Sequence, residues 1–401
     1  KINEDLSVSG FWKESLLKLL NENDKICIKY AYPGKNFSKL KSGNFTFQFP
    51  NRKRYKTLPK ITLLDLKRII DNFQPEVIHI HGTEKPYGLI KKHTNIPILI
   101  SLQGFLSESY NAVLGSIPLN SWEKEKTLKE QIYKNDFLNL HKNWFFNSSY
   151  EKEIIRINKY FAGRTTFDKE VVKKNNSKAS YFVANELLRN EFYIQKWDIN
   201  NIDEHKVFIS SFANPLKGFH VLIEAVYNLK KEFPDIKIVV PGKLTNRSVN
   251  KFLGNSYFRL INKMIKQYEL ENNIVFLGRL DGQQMCDEML KSHIFALPSF
   301  VENSSNALGE SQVLGVPCVV SNNCGGISSI ITENENGLFF DKGNALKLTA
   351  QIRRIFLDNC LAIKLSKNSR NFGSNFHNKE KIKAQYEFIY NKLQQNESFI
   401  K

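Results

Sequence analysis

The sequence predicts an α/β protein made of two halves, each a parallel sheet with helices on both faces. Its 401 residues suit two domains of ordinary size. Short apolar runs typical of strands alternate with helical stretches, and the alternation restarts after a polar segment at 196–205, which we interpret as a linker. Two such sheets would face each other across a cleft, and sheets of this kind bind ligands beyond the carboxyl ends of their strands.

The first half, residues 1–195, starts at Lys1 rather than at a Met. We therefore expect its N-terminus to be trimmed or incomplete and its first strand to be missing. Apolar runs predict strands at 26–31, 77–81, 97–102, 160–163 and 180–184. Helical patterns predict helices at 62–73, 122–142 and 165–175.

The second half, residues 206–375, repeats the pattern, with Gly and Pro at several strand ends. Its strands are predicted at 206–211, 236–241, 273–277, 293–298 and 317–321. Its helices are predicted at 218–232, 250–268, 282–291, 304–315 and 344–358. A last helix near 377–395 belongs to residues 376–401, which we expect to pack back on the first half.

The composition indicates a protein of the reducing cytosol. Hydrophobic residues make up 41% of the chain, enough for two cores, and no apolar run approaches the roughly eighteen residues that span a bilayer. No signal peptide is visible. The cysteines are scattered and form no C-x-x-C pair, which argues against a disulfide framework or a zinc ribbon. They are Cys27, Cys286, Cys318, Cys324 and Cys360.

The net charge of +18 predicts an anionic partner. Residues 1–200 hold 33 Lys and Arg against 21 Asp and Glu, so most of the excess lies in the first half. A lipid surface, a phosphorylated acceptor or nucleic acid would each fit, and so would lysines that are merely solvated. Nucleic acid is disfavoured because no basic stripe carries clustered aromatic side chains. The densest basic cluster is Arg52, Lys53, Arg54, Lys56 and Lys60.

The segment with the most chemical content follows the predicted strand at 293–298. Glu302 lies in the turn after this strand, and Glu310 lies about two turns into the next helix. Ser304 or Ser305 can cap that helix, whose free N–H groups and positive dipole end suit a diphosphate. Carboxylates are good acceptors for sugar hydroxyls. On spacing alone, however, an ordinary capped helix with solvated acids is the favoured explanation of the segment.

These residues resemble the E-x7-E signature of retaining GT-B glycosyltransferases of family 4. The same resemblance extends over nearly all of 205–375 and implies two Rossmann-like domains. The matching motifs are Ser210 to Gly218 with its Lys217-Gly218 pair, Gly242, Gly278-Arg279-Leu280, Gly315-Val-Pro317, Gly325-Gly326, Glu333 and Gly337.

The resemblance implies a role for each donor-site residue. Lys217 would contact the donor diphosphate, Glu310 the ribose and Glu302 the transferred sugar, with Lys217 and Glu302 as catalytic residues. Leu280 would meet the base. The remaining donor-binding candidates are Gly218, Ser211, Gly242, Arg279, Ser304, Leu308 and the backbone amides of Ser305, Asn306 and Ala307. Ser211 departs from the family, which usually has an Arg there, so that Lys217 acts alone or with Arg164 or Arg279.

The first half resembles the branch of the family that makes capsular and other surface polysaccharides, including lipopolysaccharide. Gln103 occupies a place where many relatives have a catalytic-site His, and His81 is the second catalytic candidate of this half. The predicted acceptor-binding residues are Gly10, Trp12, His81, Gly82, Thr83, Gln103 and Arg164. We expect His79 to be a core histidine and expect His79 and His81 to lie on opposite faces of their strand, which would keep them from sharing a metal ion.

The resemblance implies a bacterial hexosyltransferase that moves a sugar from a nucleoside diphosphate to a hydroxyl with retention at the anomeric carbon. No D-x-D motif stands out, so no metal or other cofactor is expected. The acceptor would be a lipid-linked glycan, reached by a cytoplasmic protein held peripherally on the anionic inner membrane face. Three alternatives stay open: an epimerase or a phosphorylase on the same fold, or a degenerate protein that binds sugar nucleotides without turnover.

Overall fold

The computed structural model describes residues 11–21, 26–34, 38–40, 46–50 and 58–398. The strands of this part of the chain are β1 (Tyr30–Gly34), β2 (Ser38–Leu40), β3 (Thr46–Pro50), β4 (Ile78–His81), β5 (Ile98–Ser101), β6 (Tyr160–Gly163), β7 (Ser180–Val183), β8 (Asp203–Phe208), β9 (Lys237–Val240), β10 (Ile274–Phe276), β11 (Ser292–Leu297), β12 (Cys318–Ser321) and β13 (Leu338–Phe340).

Its α-helices are α1 (Phe11–Asn21), α2 (Leu58–Phe73), α3 (Leu106–Ser109), α4 (Leu119–Glu125), α5 (Leu128–Tyr133), α6 (Phe137–Ile157), α7 (Thr166–Asn175), α8 (Glu191–Ile194), α9 (Phe219–Leu229), α10 (Ser256–Gln267), α11 (Gly282–Leu290), α12 (Asn306–Leu314), α13 (Ala345–Leu357), α14 (Asn359–Phe376) and α15 (Lys379–Ser398). None of these helices is both long enough and apolar enough to cross a bilayer, as far as the described residues go.

The second half is built around a six-stranded parallel sheet in the order β10-β9-β8-β11-β12-β13. In this doubly wound order the chain moves outward from β8 to β10 and then crosses back to β11. Because the order reverses between β8 and β11, the loops that follow these two strands diverge and leave a crevice at the carboxyl edge of the sheet. β11 is buried along its whole length, as expected for a central strand covered on both faces.

The described part of the first half contains two sheets. β4, β5, β6 and β7 are parallel and adjacent in that order, whereas β1, β3 and β2 form a separate sheet in which β2 runs antiparallel. The run predicted at 26–31 becomes a strand only from Tyr30 onward. β2 and β3 were not predicted, because their sequences SKL and TFQFP are short and carry polar residues.

The helix predicted at 122–142 is wrong as a single element, because the chain forms α4, α5 and the start of α6 there. Thr127 and Glu130 form a capping box that starts α5, and Asp136 caps α6. Lys134 ends α5 in the left-handed conformation, with φ of 49°. Each cap offers the backbone a local partner that competes with one continuous helix.

The segment from α3 to the start of α6 leaves the first half and packs against the second. Trp122 and Phe137 lie in the core of the second half, with ring centroids 6.0 Å from Tyr257. His220 Nε2 donates a 2.8 Å hydrogen bond to the carbonyl oxygen of Gly115. The later turns of α6 pack in the core of the first half, so this helix links the two cores.

The last helix packs against the first half. In α15, Ile382, Tyr386, Ile389 and Leu393 are buried in one cluster with Leu99 and other side chains of the first half. α14, which was not predicted, connects α13 to α15 and packs against α12.

Candidate active site

The crevice at the carboxyl edge of the second sheet is lined by the loops that follow β8 and β11. These loops touch directly, because Phe300 N donates a 2.8 Å hydrogen bond to the carbonyl oxygen of Leu216. Gly218 has φ of 69°, and a Cβ there would lie 1.9 Å from the carbonyl oxygen of Pro298. Only glycine fits this close approach, which fixes the loop before α9 against the loop before α12.

The contact brings Lys217 and Glu302 together from positions 85 residues apart. Lys217 Nζ donates to Glu302 Oε1 at 2.6 Å, and Ser299 Oγ donates to the same oxygen at 2.7 Å. Burial by itself would lower the pKa of Lys217, but the adjacent Glu302 carboxylate outweighs it, so the pKa is raised. The crevice therefore holds a charged ammonium group that keeps two further N–H donors.

The helix α12 begins at Asn306, shortly after Glu302 in the same loop. Ser305, rather than Ser304, caps the helix, and its Oγ accepts a hydrogen bond from Leu308 N. Asn306 and Ala307 are the first helical residues, so their N–H groups have no partner one turn earlier in the helix. These donors and the helix dipole favour an anion.

Glu310 is held by an arginine that the site prediction did not include. Arg189 Nε and Nη2 donate to the two carboxylate oxygens of Glu310, each at 2.7 Å. Burial raises the pKa of Glu310 above its usual value, and Arg189 offsets part of this rise. Arg189 comes from the loop after β7 and stacks over the Phe192 ring at 4.6 Å. A sequence signal that could have found it is the pattern Asn185-Glu186-x-x-Arg189, which also resembles the surface-polysaccharide branch of the family.

The glycines that follow β9 and β10 form an isolated backbone bridge. Gly242 and Gly278 exchange two backbone hydrogen bonds of 2.6 and 2.9 Å, and both have positive φ. A Cβ on Gly242 would meet the ring of Phe212, which follows Ser211 in the loop after β8. Leu280 is half-buried and Arg279 is exposed just beyond this pair.

The Gly325-Gly326 turn is hydrogen-bonded to the backbone of Glu302. Gly326 N donates a 2.9 Å hydrogen bond to the carbonyl oxygen of Glu302. The neighbouring Asn303 is buried and its Oδ1 accepts a 3.2 Å hydrogen bond from Thr165 Oγ1 at the start of α7. The loop that carries Glu302 is thus anchored in both halves of the chain.

In the first half, Gln103 and Arg164 meet at Glu186. Gln103 Nε2 donates to Glu186 Oε1 at 2.7 Å, and Arg164 forms a buried ion pair with the other oxygen. Arg164 Nη2 also donates to the carbonyl oxygen of Leu102 at 3.2 Å. His377 Nδ1 donates to the carbonyl oxygen of Glu186, which ties this cluster to the end of α14.

The expectation that His79 and His81 lie on opposite faces is wrong. Their ring centroids are 4.1 Å apart, because residues two apart in a strand point to the same face. His79 lies in the core, 2.8 Å from the Tyr390 hydroxyl and 2.7 Å from Ser101 Oγ, and burial lowers its pKa to about 3.

Of the other predicted acceptor residues, some are described by the structure and others lie outside the described residues. Thr83 is buried and donates to Glu151 at 3.2 Å, and the preceding Gly82 has φ of 85°. Trp12 belongs to α1, but its side chain lies outside the described residues. Gly10 lies outside them too, as do Arg52 to Lys56 of the basic cluster.

The second half of the chain matches a known protein family. Residues 190–372 match the family Glycosyl transferases group 1. The match lies in the second half of the chain, and the matched range includes Lys217, Glu302 and Glu310, whereas Arg189 comes just before it.

Two of the curated proteins similar to this chain come from Staphylococcus aureus. The protein CapJ is 27% identical over 168 residues, which cover 42% of this chain and 39% of that protein. The capsular polysaccharide biosynthesis glycosyltransferase CapM is 24% identical over 205 residues, which cover 48% of this chain and 50% of that protein. The chain thus spans half or less of the length of these relatives.

Solved structures extend the likeness to both halves. Sucrose-phosphate synthase from Thermosynechococcus elongatus has a TM-score of 0.72 at 16% identity, covering 96% of this chain and 94% of that chain. Anabaena HepE in complex with UDP and glucose has a TM-score of 0.64 at 15% identity, covering 86% and 85%. The predicted fold is confirmed: the chain has the GT-B architecture of two α/β halves with parallel sheets.

Proposed function

We propose that this protein is a glycosyltransferase that moves a sugar from a nucleoside diphosphate to a hydroxyl acceptor. The observation that carries the proposal is the convergence of Lys217, Glu302 and the amino end of α12 at the point where the strand order reverses. A cation and unpaired backbone donors suit a diphosphate, and a carboxylate beside them suits sugar hydroxyls.

In the proposed complex the diphosphate lies between Lys217 and the first turn of α12. An ammonium group has three donors, so Lys217 can keep its 2.6 Å bond to Glu302 and still bind a phosphate oxygen. As the glycosidic bond breaks, negative charge grows on the leaving diphosphate, and the fixed cation and helix end stabilise it. Glu310, oriented by Arg189, would accept hydrogen bonds from the ribose hydroxyls.

We propose that the sugar is transferred with retention. A two-step route would need a carboxylate nucleophile within reach of the anomeric carbon. Glu302 is held by Lys217 and Ser299 as a hydrogen-bond acceptor, so a same-face substitution, in which a donor phosphate oxygen takes the acceptor proton, is the route we favour. Lys217 and α12 would supply the charge stabilisation, so we expect no metal requirement.

The relatives and structural neighbours support the donor class and a role in surface polysaccharide synthesis. CapM is a capsular polysaccharide biosynthesis glycosyltransferase, and HepE has been solved with UDP-glucose as well as with UDP and glucose. By analogy we propose a sugar nucleotide as donor and a glycan acceptor, carried on a lipid, in surface polysaccharide synthesis. An anionic membrane surface would then be the place of reaction.

A ligand screen by thermal unfolding tests the donor assignment. A ligand that binds only the folded protein raises the unfolding temperature by mass action. We expect one of the UDP-, GDP-, ADP- or dTDP-sugars to raise it, the free sugar to have no effect, and Lys217→Ala to abolish the shift. If no sugar nucleotide stabilises the wild-type protein, the proposal is wrong.

A degenerate, binding-only protein is the second candidate, because Ser211 stands where an arginine is usual. The two functions differ in turnover rather than in binding. Incubation with the stabilising donor and a mixed pool of bacterial glycolipids should yield a glycosylated product whose anomeric configuration matches the donor. Donor binding without any product would favour the second candidate. Conversion of the free nucleotide sugar into a different nucleotide sugar would favour an epimerase.

A further inference from the structure

Five large apolar side chains project into solvent from two neighbouring segments. Three belong to α5 and two belong to the loop before α10, and their exposed fractions run from 47% to 72%. We call them the apolar ridge: Leu128, Ile132, Tyr133, Phe252 and Leu253. Exposed apolar residues scattered singly are ordinary, but a contiguous group marks an interaction surface.

Backbone hydrogen bonds join the two segments of the ridge. Leu128 N donates to the carbonyl oxygen of Lys251 at 3.1 Å, and Lys129 N donates to that of Phe252 at 2.8 Å. Beneath them, the buried Glu130 carboxylate accepts hydrogen bonds from both Ser256 N and Ser256 Oγ at 3.0 Å. The ridge therefore spans one surface even though its segments are more than a hundred residues apart.

The loop holds its two apolar side chains outward by its own geometry. Asn250 Oδ1 accepts hydrogen bonds from Phe252 N at 2.7 Å and from Leu253 N at 3.1 Å, which makes a tight Asx turn. A Cβ on Gly254 would lie 2.5 Å from the carbonyl oxygens of Ser248 and Asn250, so the turn also needs this glycine. Turns of this type usually carry polar residues, and a rigid turn cannot fold Phe252 and Leu253 into the core.

The charges around the ridge are positive. Lys124, Lys129, Lys134 and Lys251 are exposed on the same segments, with Glu123 as the exposed acid of residues 119–136. The other acids of that stretch are buried and bonded within the protein: Glu125 pairs with Arg259 and Asp136 with Lys126, while Glu130 accepts hydrogen bonds from Ser256. Solvent thus meets apolar side chains flanked by lysines.

We propose that the apolar ridge is a membrane-docking surface that inserts into the headgroup region of a bilayer containing anionic lipids. Aromatic and aliphatic side chains flanked by lysines are the combination that binds such an interface, because the apolar groups enter the acyl boundary while the lysines meet lipid phosphates. The proposal deepens the proposed function by giving the lipid-linked acceptor a place to meet the protein. It needs no donor chemistry, so it can be tested separately.

Vesicle binding by the full chain tests the ridge. The probe is a vesicle of phosphatidylcholine in which about a third of the lipid is phosphatidylglycerol, compared with pure phosphatidylcholine. The variants are Phe252→Ser/Leu253→Ser and Lys129→Ser/Lys251→Ser. The control, Leu346→Ser/Leu357→Ser, removes two apolar side chains of similar exposure from α13, which packs against α9, α14 and the second sheet.

We expect the loop variant to lose about tenfold or more in vesicle partition, because two inserted side chains are removed. The lysine variant should lose its preference for anionic vesicles, and the control should bind like the wild-type protein. Unfolding temperatures check that each variant is folded, since all the substituted side chains are exposed.

Two results would overturn the proposal. One is equal vesicle binding by the wild-type protein and the loop variant. The other is a concentration-dependent dimer that the loop variant abolishes, since the ridge would then be a contact between protein chains. The thermal shift with sugar nucleotides is measured on the same samples. If ridge-dependent vesicle binding is seen without a thermal shift, the proposed function is wrong and the membrane-docking proposal stands. If a thermal shift is seen without ridge-dependent vesicle binding, the docking proposal is wrong and the proposed function stands.

Discussion

Lys217 and Glu302 form an ion pair that is partly shielded from solvent. The Lys217 side chain is 33% exposed and the Glu302 side chain 10%, so a ligand can reach the ammonium more easily than the carboxylate. This asymmetry suits a site in which a phosphate arrives at the lysine while the glutamate stays oriented by Ser299 and by the backbone of the Gly325-Gly326 turn.

Lys217→Ala should reduce turnover by about a hundredfold to a thousandfold, the range seen when one charge-stabilising donor is removed. The loss should fall on kcat as well as on donor affinity, because the cation acts most strongly on the charge that develops as the bond breaks. Steady-state kinetics with the donor identified by the thermal screen measures both. Lys237→Ala is the matched control, because Lys237 starts β9 at the opposite edge of the sheet and bonds only the carbonyl oxygen of Asn272 among its described contacts. Equal losses in the two variants would contradict the assignment.

Arg189→Gln should weaken donor binding and make it depend on pH. Burial already raises the pKa of Glu310, and Arg189 is the group that opposes this rise. Without Arg189 the carboxyl group would stay protonated to higher pH and would be a poorer acceptor for ribose hydroxyls. When the KM for the donor is measured against pH, the rise in KM at acidic pH should therefore begin at a higher pH in Arg189→Gln. Arg189→Lys keeps a cation beside Glu310, so this rise should shift less. A parallel loss at every pH would indicate a structural role for Arg189 alone.

At the scale of elements, the site exists because two loops pack tightly at one edge of the sheet. Much of this was predictable: the end of β8 and most of β9, β10, β11 and β12 are apolar, and parallel strands place their carboxyl ends together. The contact between Gly218 and Pro298 was not predictable from periodicity, since it depends on the separation of two loops in space.

Other elements show where sequence reasoning fails. The T-x-x-E capping box at Thr127 was readable and would have divided the helix predicted at 122–142. The pairing of Arg189 with Glu310 was not readable, because it joins residues 121 positions apart through the approach of α12 to the loop after β7. The buried strand ends of the first half likewise give no sign that Gln103 and Arg164 share Glu186.

Gly218→Ala should separate the two loops. A Cβ at this position meets the Pro298 carbonyl oxygen at 1.9 Å, and the left-handed backbone costs a non-glycine residue about 1 kcal/mol more. We expect a lower unfolding temperature together with a loss of the donor-induced shift. Gly282→Ala, at the first turn of α11, meets only the mobile end of Glu191 and serves as the control. Retention of the donor shift in Gly218→Ala would show that the loop contact does not build the site.

At the scale of the whole molecule, buried neutral histidines make the fold sensitive to acid. Burial lowers the pKa of His220, His293 and His377 to about 4. The unfolded chain binds these protons near pH 6.5, whereas the folded chain does not until about pH 4. The stability present above pH 6.5 is therefore lost as the pH falls toward 4, by up to about 1.4 kcal/mol per pH unit for each imidazole.

His293→Phe should reduce this acid sensitivity. Neither ring nitrogen of His293 has a hydrogen-bond partner among the described residues, and the ring packs 5.0 Å from that of Phe356. Phenylalanine keeps the aromatic contact and removes a proton-binding group. Urea unfolding at pH 7.5 and pH 5 should show a smaller difference for the variant than for the wild-type protein. An unchanged difference would mean that His293 does not contribute to the pH dependence.

His220 extends this sensitivity to the junction of the two halves. Its ring is held between the Tyr257 hydroxyl and the carbonyl oxygen of Gly115, and it stacks at 5.7 Å on Phe300 in the loop before α12. The segment from α3 to the start of α6 is thereby fastened to the second half beside the crevice. The position of the first half relative to the second half thus depends in part on this packing.

A crystal structure of the protein with the stabilising sugar nucleotide, or with its nucleoside diphosphate, tests the central claim most directly. We predict a diphosphate oxygen within about 3 Å of Lys217 Nζ and others facing the backbone N–H groups of Asn306 and Ala307, with the ribose near Glu310. A nucleotide bound away from the amino end of α12, with the Lys217–Glu302 pair untouched, would contradict the account.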